Sequence, residues 1–251
     1  MRKLLTTVLS ITLAVSVLLA GGMLKPTQAL VPSGPPTFTH PLDITNPYHP
    51  FQPGAMKVYQ GSKHGASTTI VDLYLTSTRK FKLGAVSVSC HILQETEFAD
   101  GVLAEVSQNF FAQADDGSVY FFGQIVDTYD GTGAIVSHAG SWLVGGPKGT
   151  DPKETAKATN PTVFMPANPE KGDVFKPEDL SPTVDETATV EAVEQRLQVP
   201  AGRFDHVMRV GSTSSLAGEV PETKWYAKGV GLLRGKANGE DLSLVATMLH
   251  P

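Results

Sequence analysis

The chain lacks most of the residues and motifs that commit a sequence to one chemistry. A single cysteine, Cys90, among 251 residues excludes an internal disulfide framework and a cysteine-rich metal site. Acidic residues outnumber basic ones 25 to 20, so the basic footprint of a nucleic-acid-binding protein is missing. No nucleophile elbow, phosphate-binding loop or dinucleotide fingerprint occurs. The sequence therefore predicts no cofactor and no nucleic-acid partner, leans away from catalysis, and assigns no catalytic residue.

The candidate metal ligands are also poorly placed for a metal site. The seven histidines show none of the short spacings of such a site. Cys90 and His91 are adjacent on a predicted strand and point to opposite faces, which favours a core cysteine. Residues 127–133 place oxygen ligands and glycines in a turn, but the spacing and terminal Glu of a calcium loop are missing. No metal site is predicted, and a hairpin turn is the favoured interpretation of this segment.

The N-terminus has the layout of a secretory signal. Arg2 and Lys3 precede an uncharged run over residues 4–24, and Thr27 and Ala29 form a small-residue cleavage site. We expect a signal peptide over residues 1–29, cleaved after Ala29, and a secreted or periplasmic mature chain without stable membrane insertion. The apolar run is also long enough to span a bilayer, so retention as an anchor is the alternative.

The body of the chain predicts strands. Residues 71–75, 86–92 and 242–248 alternate apolar and polar side chains with a period of two. Turn pairs of Asp-Gly or Asn-Gly at 100–101, 116–117, 130–131 and 238–239 separate such runs. A proline-rich stretch over residues 30–53 predicts an extended leader along the surface. Residues 145–182, rich in glycine and proline, predict a long irregular connection between two strand-rich halves.

The two halves resemble each other. Residues 84–92 align without gaps to 202–210, and 110–113 to 225–228, with the following glycines equally spaced. Such self-similarity indicates a repeated supersecondary unit, here over about residues 68–144 and 183–250; chance similarity between strand-rich segments is the alternative. The predicted fold is all-β: one domain over residues 54–251, with a curled antiparallel sheet, a half-barrel or a sandwich built from two related halves.

Several phrases together resemble a group of secreted bacterial β-rich proteins to which no activity is assigned. They are Ile44-Thr45-Asn46-Pro47-Tyr48 with Pro53-Gly54, residues 116–123, Gly140-Ser141-Trp142, residues 165–169 with Gly172-Asp173, residues 200–204, and Tyr226-Ala227 with residues 229–232. This resemblance implies an extracytoplasmic β domain and implies no catalytic residue. An Asp common in those proteins is replaced here by Ala114. The Tyr226-Ala227 phrase is also similar to one strand of curled-sheet periplasmic carriers of lipids or lipoproteins.

Paired aromatic residues are the most suggestive functional feature, because neighbours on a strand point to opposite faces and only one face is needed for a core. The candidate ligand-binding residues are Phe111, Tyr120, Phe122, Trp142, Trp225 and Tyr226. We expect a binding protein for an apolar or amphipathic small molecule or for an envelope protein. Core packing by both sheet faces is the alternative for these residues. A secreted hydrolase or lyase of polymers and a structural envelope protein are the alternative functions.

Overall fold

The structure, a computed structural model, describes residues 29–250, and this part of the chain is built from strands without a helix. The predicted signal peptide lies outside the described residues except for Ala29. The fifteen strands are β1 (Met56–Lys63), β2 (Ala66–Leu83), β3 (Val86–Ala99), β4 (Val102–Gln113), β5 (Val119–Tyr129), β6 (Ile135–Ser137), β7 (Trp142–Val144), β8 (Ala156–Ala158), β9 (Thr162–Met165), β10 (Val174–Leu180), β11 (Val184–Val199), β12 (Gly202–Thr213), β13 (Glu222–Ala227), β14 (Gly231–Ala237) and β15 (Glu240–Thr247).

All fifteen strands belong to one curled sheet. An antiparallel ladder runs from β10 through β15, continues to β1, and goes on to β5. The outer edge of β5 pairs in turn with β9, β7 and β6, and β8 adds in parallel to β7. The two ends of the sheet meet where β9 approaches β10: the Thr162 Oγ1 donates to the backbone carbonyl oxygen of Pro177 at 2.5 Å. The sheet is therefore a nearly closed half-barrel.

The predicted all-β curled sheet is confirmed. Local sequence patterns also predicted the positions of several strands and turns. The three alternating runs lie in β2, β3 and β15, and the four predicted turn pairs lie between strands or at their ends. The connection over residues 145–182 is less irregular than predicted, because it contains β8, β9 and β10. These short strands are stabilised by pairing with β7, β5 and β11, which is a long-range effect that local composition does not report.

The segments that resemble each other occupy corresponding strands. Residues 84–92 enter β3 and residues 202–210 form most of β12, while 110–113 end β4 and 225–228 end β13. In each half the next strand, β5 or β14, pairs antiparallel with its predecessor. The two halves therefore share the same order of antiparallel strands. That the halves arose by internal duplication stays a prediction.

The proline-rich leader crosses one end of the curled sheet and links its two halves. The Gln113 backbone N–H, at the end of β4, donates to the carbonyl oxygen of Pro41 at 2.9 Å. The Gly229 N–H, in the β13–β14 turn, donates to that of Pro47 at 2.7 Å. Between these points the leader buries Tyr48 in the core. The leader is therefore anchored in the end of the sheet by its buried residues, while much of its length stays exposed, as a surface path requires.

Two polar side chains hold this crossing. The Gln113 Oε1 accepts hydrogen bonds from the backbone of Thr45 and Asn46 at 2.9 and 2.8 Å. The buried Asn46 Nδ2 donates to the carbonyl oxygens of Gly117 and Pro166 at 3.1 and 2.9 Å, and its Oδ1 accepts from the backbone N–H of Tyr48. Proline lacks the N–H needed for a ladder, so side-chain hydrogen bonds replace strand pairing here.

We expect Asn46→Ala to lower the free energy of unfolding by roughly 2–4 kcal/mol, because it leaves two carbonyl oxygens and one N–H without their partner. Urea unfolding measures the change. Asn160→Ala, at an exposed position, is the matched control and should change stability by less than about 0.5 kcal/mol. Equal, small effects of both substitutions would show that the leader does not stabilise the fold.

Candidate functional site

The predicted aromatic residues of the first half lie on two faces of the sheet. On one face, Phe111 stacks on Phe121 with ring centroids 4.9 Å apart, and Phe164 from β9 meets both rings edge-on. Trp142 meets Phe121 at 5.2 Å and is fully buried. Both Phe111 and Trp142 are therefore packed in the interior.

Tyr120 and Phe122 lie on the opposite face, under the leader. The Phe38 ring meets them at 5.6 and 5.5 Å, both edge-on. Tyr120 also lines a groove of about 700 Å³ beside residues 32–39. These two residues thus do not share a face with Phe111, because neighbouring strand residues alternate and a second layer covers each face.

The two predicted residues of the second half also separate. Trp225 is half-buried, with the guanidinium of Arg234 5.6 Å above its ring. Tyr226 is buried and lines an interior cavity of about 290 Å³. Of the six predicted residues, Tyr226 is the one that borders this cavity.

This cavity is the candidate site, because it combines an apolar wall with buried charge. Strands from both halves contribute to it, and the leader residues His49 and Pro50 cover one side. The main apolar residues are Ile70, Leu93, Phe164, Leu232 and Leu242. The charged residues are Lys57, Asp72, Glu95, Glu222, Lys224 and Glu240.

Strand register brings the central charges together. Lys57 on β1 lies opposite Asp72 on β2, which lies opposite Glu95 on β3. Directly opposed residues of antiparallel strands share a face, so the three side chains form one row. The Lys57 Nζ lies 3.6 Å from the Asp72 Oδ2, and both side chains are buried. Sequence reasoning missed this row, because its members are 15 and 23 residues apart and each looks like an ordinary polar strand position.

Lys57 remains a cation despite its burial. Burial alone would lower its pKa, but Tyr59, Tyr74 and Asp72 together hold the pKa well above its usual value. The two tyrosine ring centroids lie 5.3 and 5.7 Å from Nζ, within the range of cation–π attraction. The interior thus already accommodates one ammonium group between aromatic rings and a carboxylate.

Glu95 is a carboxyl group of the cavity wall whose pKa is strongly raised. Burial, followed by the charges of Asp72, Glu105 and Glu97, raises the pKa of Glu95 to about 8. Within residues 29–250 no cation forms an ion pair with Glu95. At neutral pH this side chain is therefore mostly a neutral acid.

Two buried atoms at the cavity lack a hydrogen-bond partner within the described chain. They are the Asp72 Oδ1 and the His49 Nε2. Burial, followed by the charge of Lys57, lowers the pKa of His49 to about 3, so its ring is neutral. Buried polar atoms are normally satisfied, so unpartnered ones beside a cavity indicate a place for a polar ligand.

The second half supplies a paired charge group at the same cavity. The Lys224 Nζ lies 3.1 Å from the Glu186 Oε1 and 3.0 Å from the Glu222 Oε2. Burial would lower the pKa of Lys224, but the two carboxylates raise it well above its usual value. Lys224 is therefore a structural cation whose charge is more than offset by the two carboxylates beside it.

The remaining sequence candidates have local structural roles. Cys90 is fully buried and unpaired, which confirms the predicted core cysteine. His91 stacks on Phe51 at 4.3 Å and lies 2.9 Å from the carbonyl oxygen of Leu42. The carboxylate of Asp130 accepts hydrogen bonds from Thr132 and Ala134 within its own turn, as expected of a hairpin turn.

We expect the Glu95→Gln variant to lose less stability than the natural chain as the pH rises. The folded-state pKa lies above the unfolded value, so the folded chain holds this proton more tightly, and that stability is lost as pH rises from about 4.5 to about 8. The loss is at most about 1.4 kcal/mol per pH unit. The free energy of unfolding of the variant, minus that of the natural chain, should therefore increase from pH 5 to pH 8.

Urea unfolding at several pH values measures this difference. Glu170→Gln, at an exposed position, is the matched control and should give a difference that does not change with pH. A pH-independent difference for Glu95→Gln as well would show that Glu95 is ionised in the folded chain throughout this range.

Comparison with known proteins gives one structural similarity. The chain matches no family model and no curated protein. Among solved structures it is similar to the crystal structure of a "putative lipoprotein" from Parabacteroides distasonis, with 12% identity over 80% of this chain and 97% of that chain, and a TM-score of 0.32. No function transfers at this level of similarity. Among residues 29–250, no helix has the length and hydropathy required to cross a bilayer.

Proposed function

We propose that this protein is an extracytoplasmic binding protein that holds a small amphipathic molecule inside its curled sheet. The observation that carries the proposal is the interior cavity, with Leu232 and Leu242 on its apolar side and the Lys57–Asp72–Glu95 row on its polar side. Binding sites for small molecules are typically apolar clefts with a few placed polar groups. The unpartnered atoms of Asp72 and His49 support a ligand with a polar end.

The size of the cavity favours a small molecule over a partner chain. At about 290 Å³ it lies near the lower limit of ordinary ligand pockets. It is bounded by strands of both halves and by the leader, whereas a partner chain needs an accessible outer surface. Of the six aromatic residues predicted to bind a ligand, Tyr226 borders this site, and Phe111, Tyr120, Phe122 and Trp142 are packed in the core.

The proposed location outside the cytoplasm follows from the N-terminal sequence. Residues 1–29 have the layout of a cleavable secretory signal. Removal of Arg2, Lys3 and Lys25 would make a chain with excess acidic residues still more acidic. Such a domain suits an aqueous compartment and disfavours an anionic membrane surface.

A hydrolase or lyase of polymers is the second candidate, and one observation favours it. Asp72 and Glu95 are opposed carboxyl groups, and a pKa of about 8 for Glu95 would suit a general acid. The small cavity argues against a polymer substrate, because several linked residues would need an open groove.

Uptake of the neutral dye prodan by the folded protein tests the binding function. We expect saturable binding with a blue-shifted emission, because the dye enters a water-poor site. Ile70→Trp, which places a larger ring at the cavity wall, should weaken binding by at least about tenfold, since overfilled cores have no spare volume.

Thr69→Trp is the matched control, because the preceding residue of the same strand points to the opposite face. It should bind prodan as the natural chain does. Absence of saturable uptake, or an equal loss in both variants, would contradict a ligand site in this cavity.

A further inference from the structure

The charged groups of the cavity do not balance. Lys57 is paired with Asp72, and Lys224 with Glu186 and Glu222. Glu95 and Glu240, which line the same cavity, form no ion pair within the described part of the chain. Two carboxyl groups are thus left over at the cavity. A cationic ligand beside Glu95 would offset the charges of Asp72, Glu105 and Glu97, which otherwise favour the protonated form of its carboxyl group.

The second, independent sign of a ligand is the pair of unpartnered atoms. Asp72 is 4% exposed and His49 is 8% exposed, and the Asp72 Oδ1 and the His49 Nε2 have no hydrogen-bond partner. A carboxylate oxygen only accepts hydrogen bonds, and a neutral imidazole can accept one as well. Both atoms therefore suit a ligand group that donates hydrogen bonds.

A ligand that donates hydrogen bonds at this site is better explained as an organic cation than as a metal ion. Within residues 29–250, no three His, Cys, Asp or Glu side chains are grouped closely enough to hold a metal. The cavity walls are instead aromatic and aliphatic, with Tyr59, Tyr74 and Tyr226 on them. The Lys57 ammonium, held over two of these rings beside Asp72, shows that these groups together stabilise an alkylammonium.

We infer that the cavity selects an amphipathic organic monocation, with its ammonium group beside Asp72 and Glu95 and its apolar body against Tyr226, Leu232 and Leu242. This inference rests on the proposed binding function and specifies its ligand class. The excess of carboxyl groups, the unpartnered acceptor atoms and the aromatic and aliphatic walls all support this ligand class.

Proton release on binding is a further consequence. An ammonium beside Glu95 favours the ionised carboxylate, so a group that is mostly protonated at pH 7 gives up a proton when the cation binds. The charged groups that act on Glu95 or share its cavity are Lys57 and Lys63 on β1, Asp72 on β2, Glu97 on β3, Glu105 on β4, Glu222 and Lys224 on β13, and Glu240 on β15.

Three probes with the same phenylethyl body test the inference: 2-phenylethylamine, 2-phenylethanol and 3-phenylpropanoate. Isothermal titration calorimetry on the folded mature protein at pH 7 should show that the amine binds at least about tenfold more tightly than the alcohol or the carboxylate. Titrations in buffers of different ionisation enthalpy should show net proton release with the amine and none with the alcohol.

Glu95→Gln keeps the shape of the side chain and removes its charge. It should weaken binding of the amine by at least about tenfold, leave the alcohol unchanged and abolish the proton release. Glu170→Gln, exposed and far along the chain, is the matched control and should behave as the natural protein. The proton release of the natural protein is measured without any variant, so it tests the inference even where Glu95→Gln unfolds.

The outcomes separate this inference from the proposed function. Preference for the alcohol or the carboxylate, or no binding of the amine by a protein that takes up prodan, would overturn the cation assignment and leave the binding function standing. Failure to take up prodan and all three probes would overturn both. Amine binding without proton release and without dependence on Glu95 would overturn the assigned position of the ammonium group.

Discussion

Alternation of side chains along long strands is the constraint on which this structure depends. A sheet that curls until its ends meet places every second side chain in one enclosed space, and that space has to be filled. Near Phe111, Phe121 and Trp142 it is filled by aromatic rings in direct contact. Near Lys57, Asp72 and Glu95 it is lined by charges, which cannot pack against one another as rings do. The cavity lies where the interior changes from one kind of residue to the other.

The leader covers one side of this interior with His49 and Pro50. Its prolines cannot extend the ladder, so it is fixed by hydrogen bonds to Gln113 and Asn46 and by burial of Tyr48. By linking the end of β4 to the β13–β14 turn, it couples the two halves at the end of the sheet that borders the cavity. The low dielectric that follows explains the raised pKa of Glu95 and the lowered pKa of His49. The position of the leader therefore affects the protonation states of the residues at the site.

Buried and half-buried charges are costly unless something compensates for them. Lys57 and Lys224 are compensated within the chain by carboxylates and, for Lys57, by tyrosine rings. Glu95 has no such partner among the described residues and is compensated by a proton. A fold selected for stability alone would do better with an apolar side chain at this position. The presence of an unpaired acid on the cavity wall is what connects the architecture to the proposed ligand.

The amino-acid sequence alone predicts the longer strands outside residues 145–182, the turns and the burial of Cys90, because period-two alternation and Asp-Gly or Asn-Gly pairs act over a few residues. It also indicated the aromatic residues, of which Tyr226 borders the cavity. The folded structure was needed to show that Phe111 and Tyr120 lie on different faces and that Phe38 covers the face of Tyr120. It alone decided that Lys57, Asp72 and Glu95 meet, since that depends on the register of three strands. Register is set by packing across the whole sheet, and no local pattern in the chain records it.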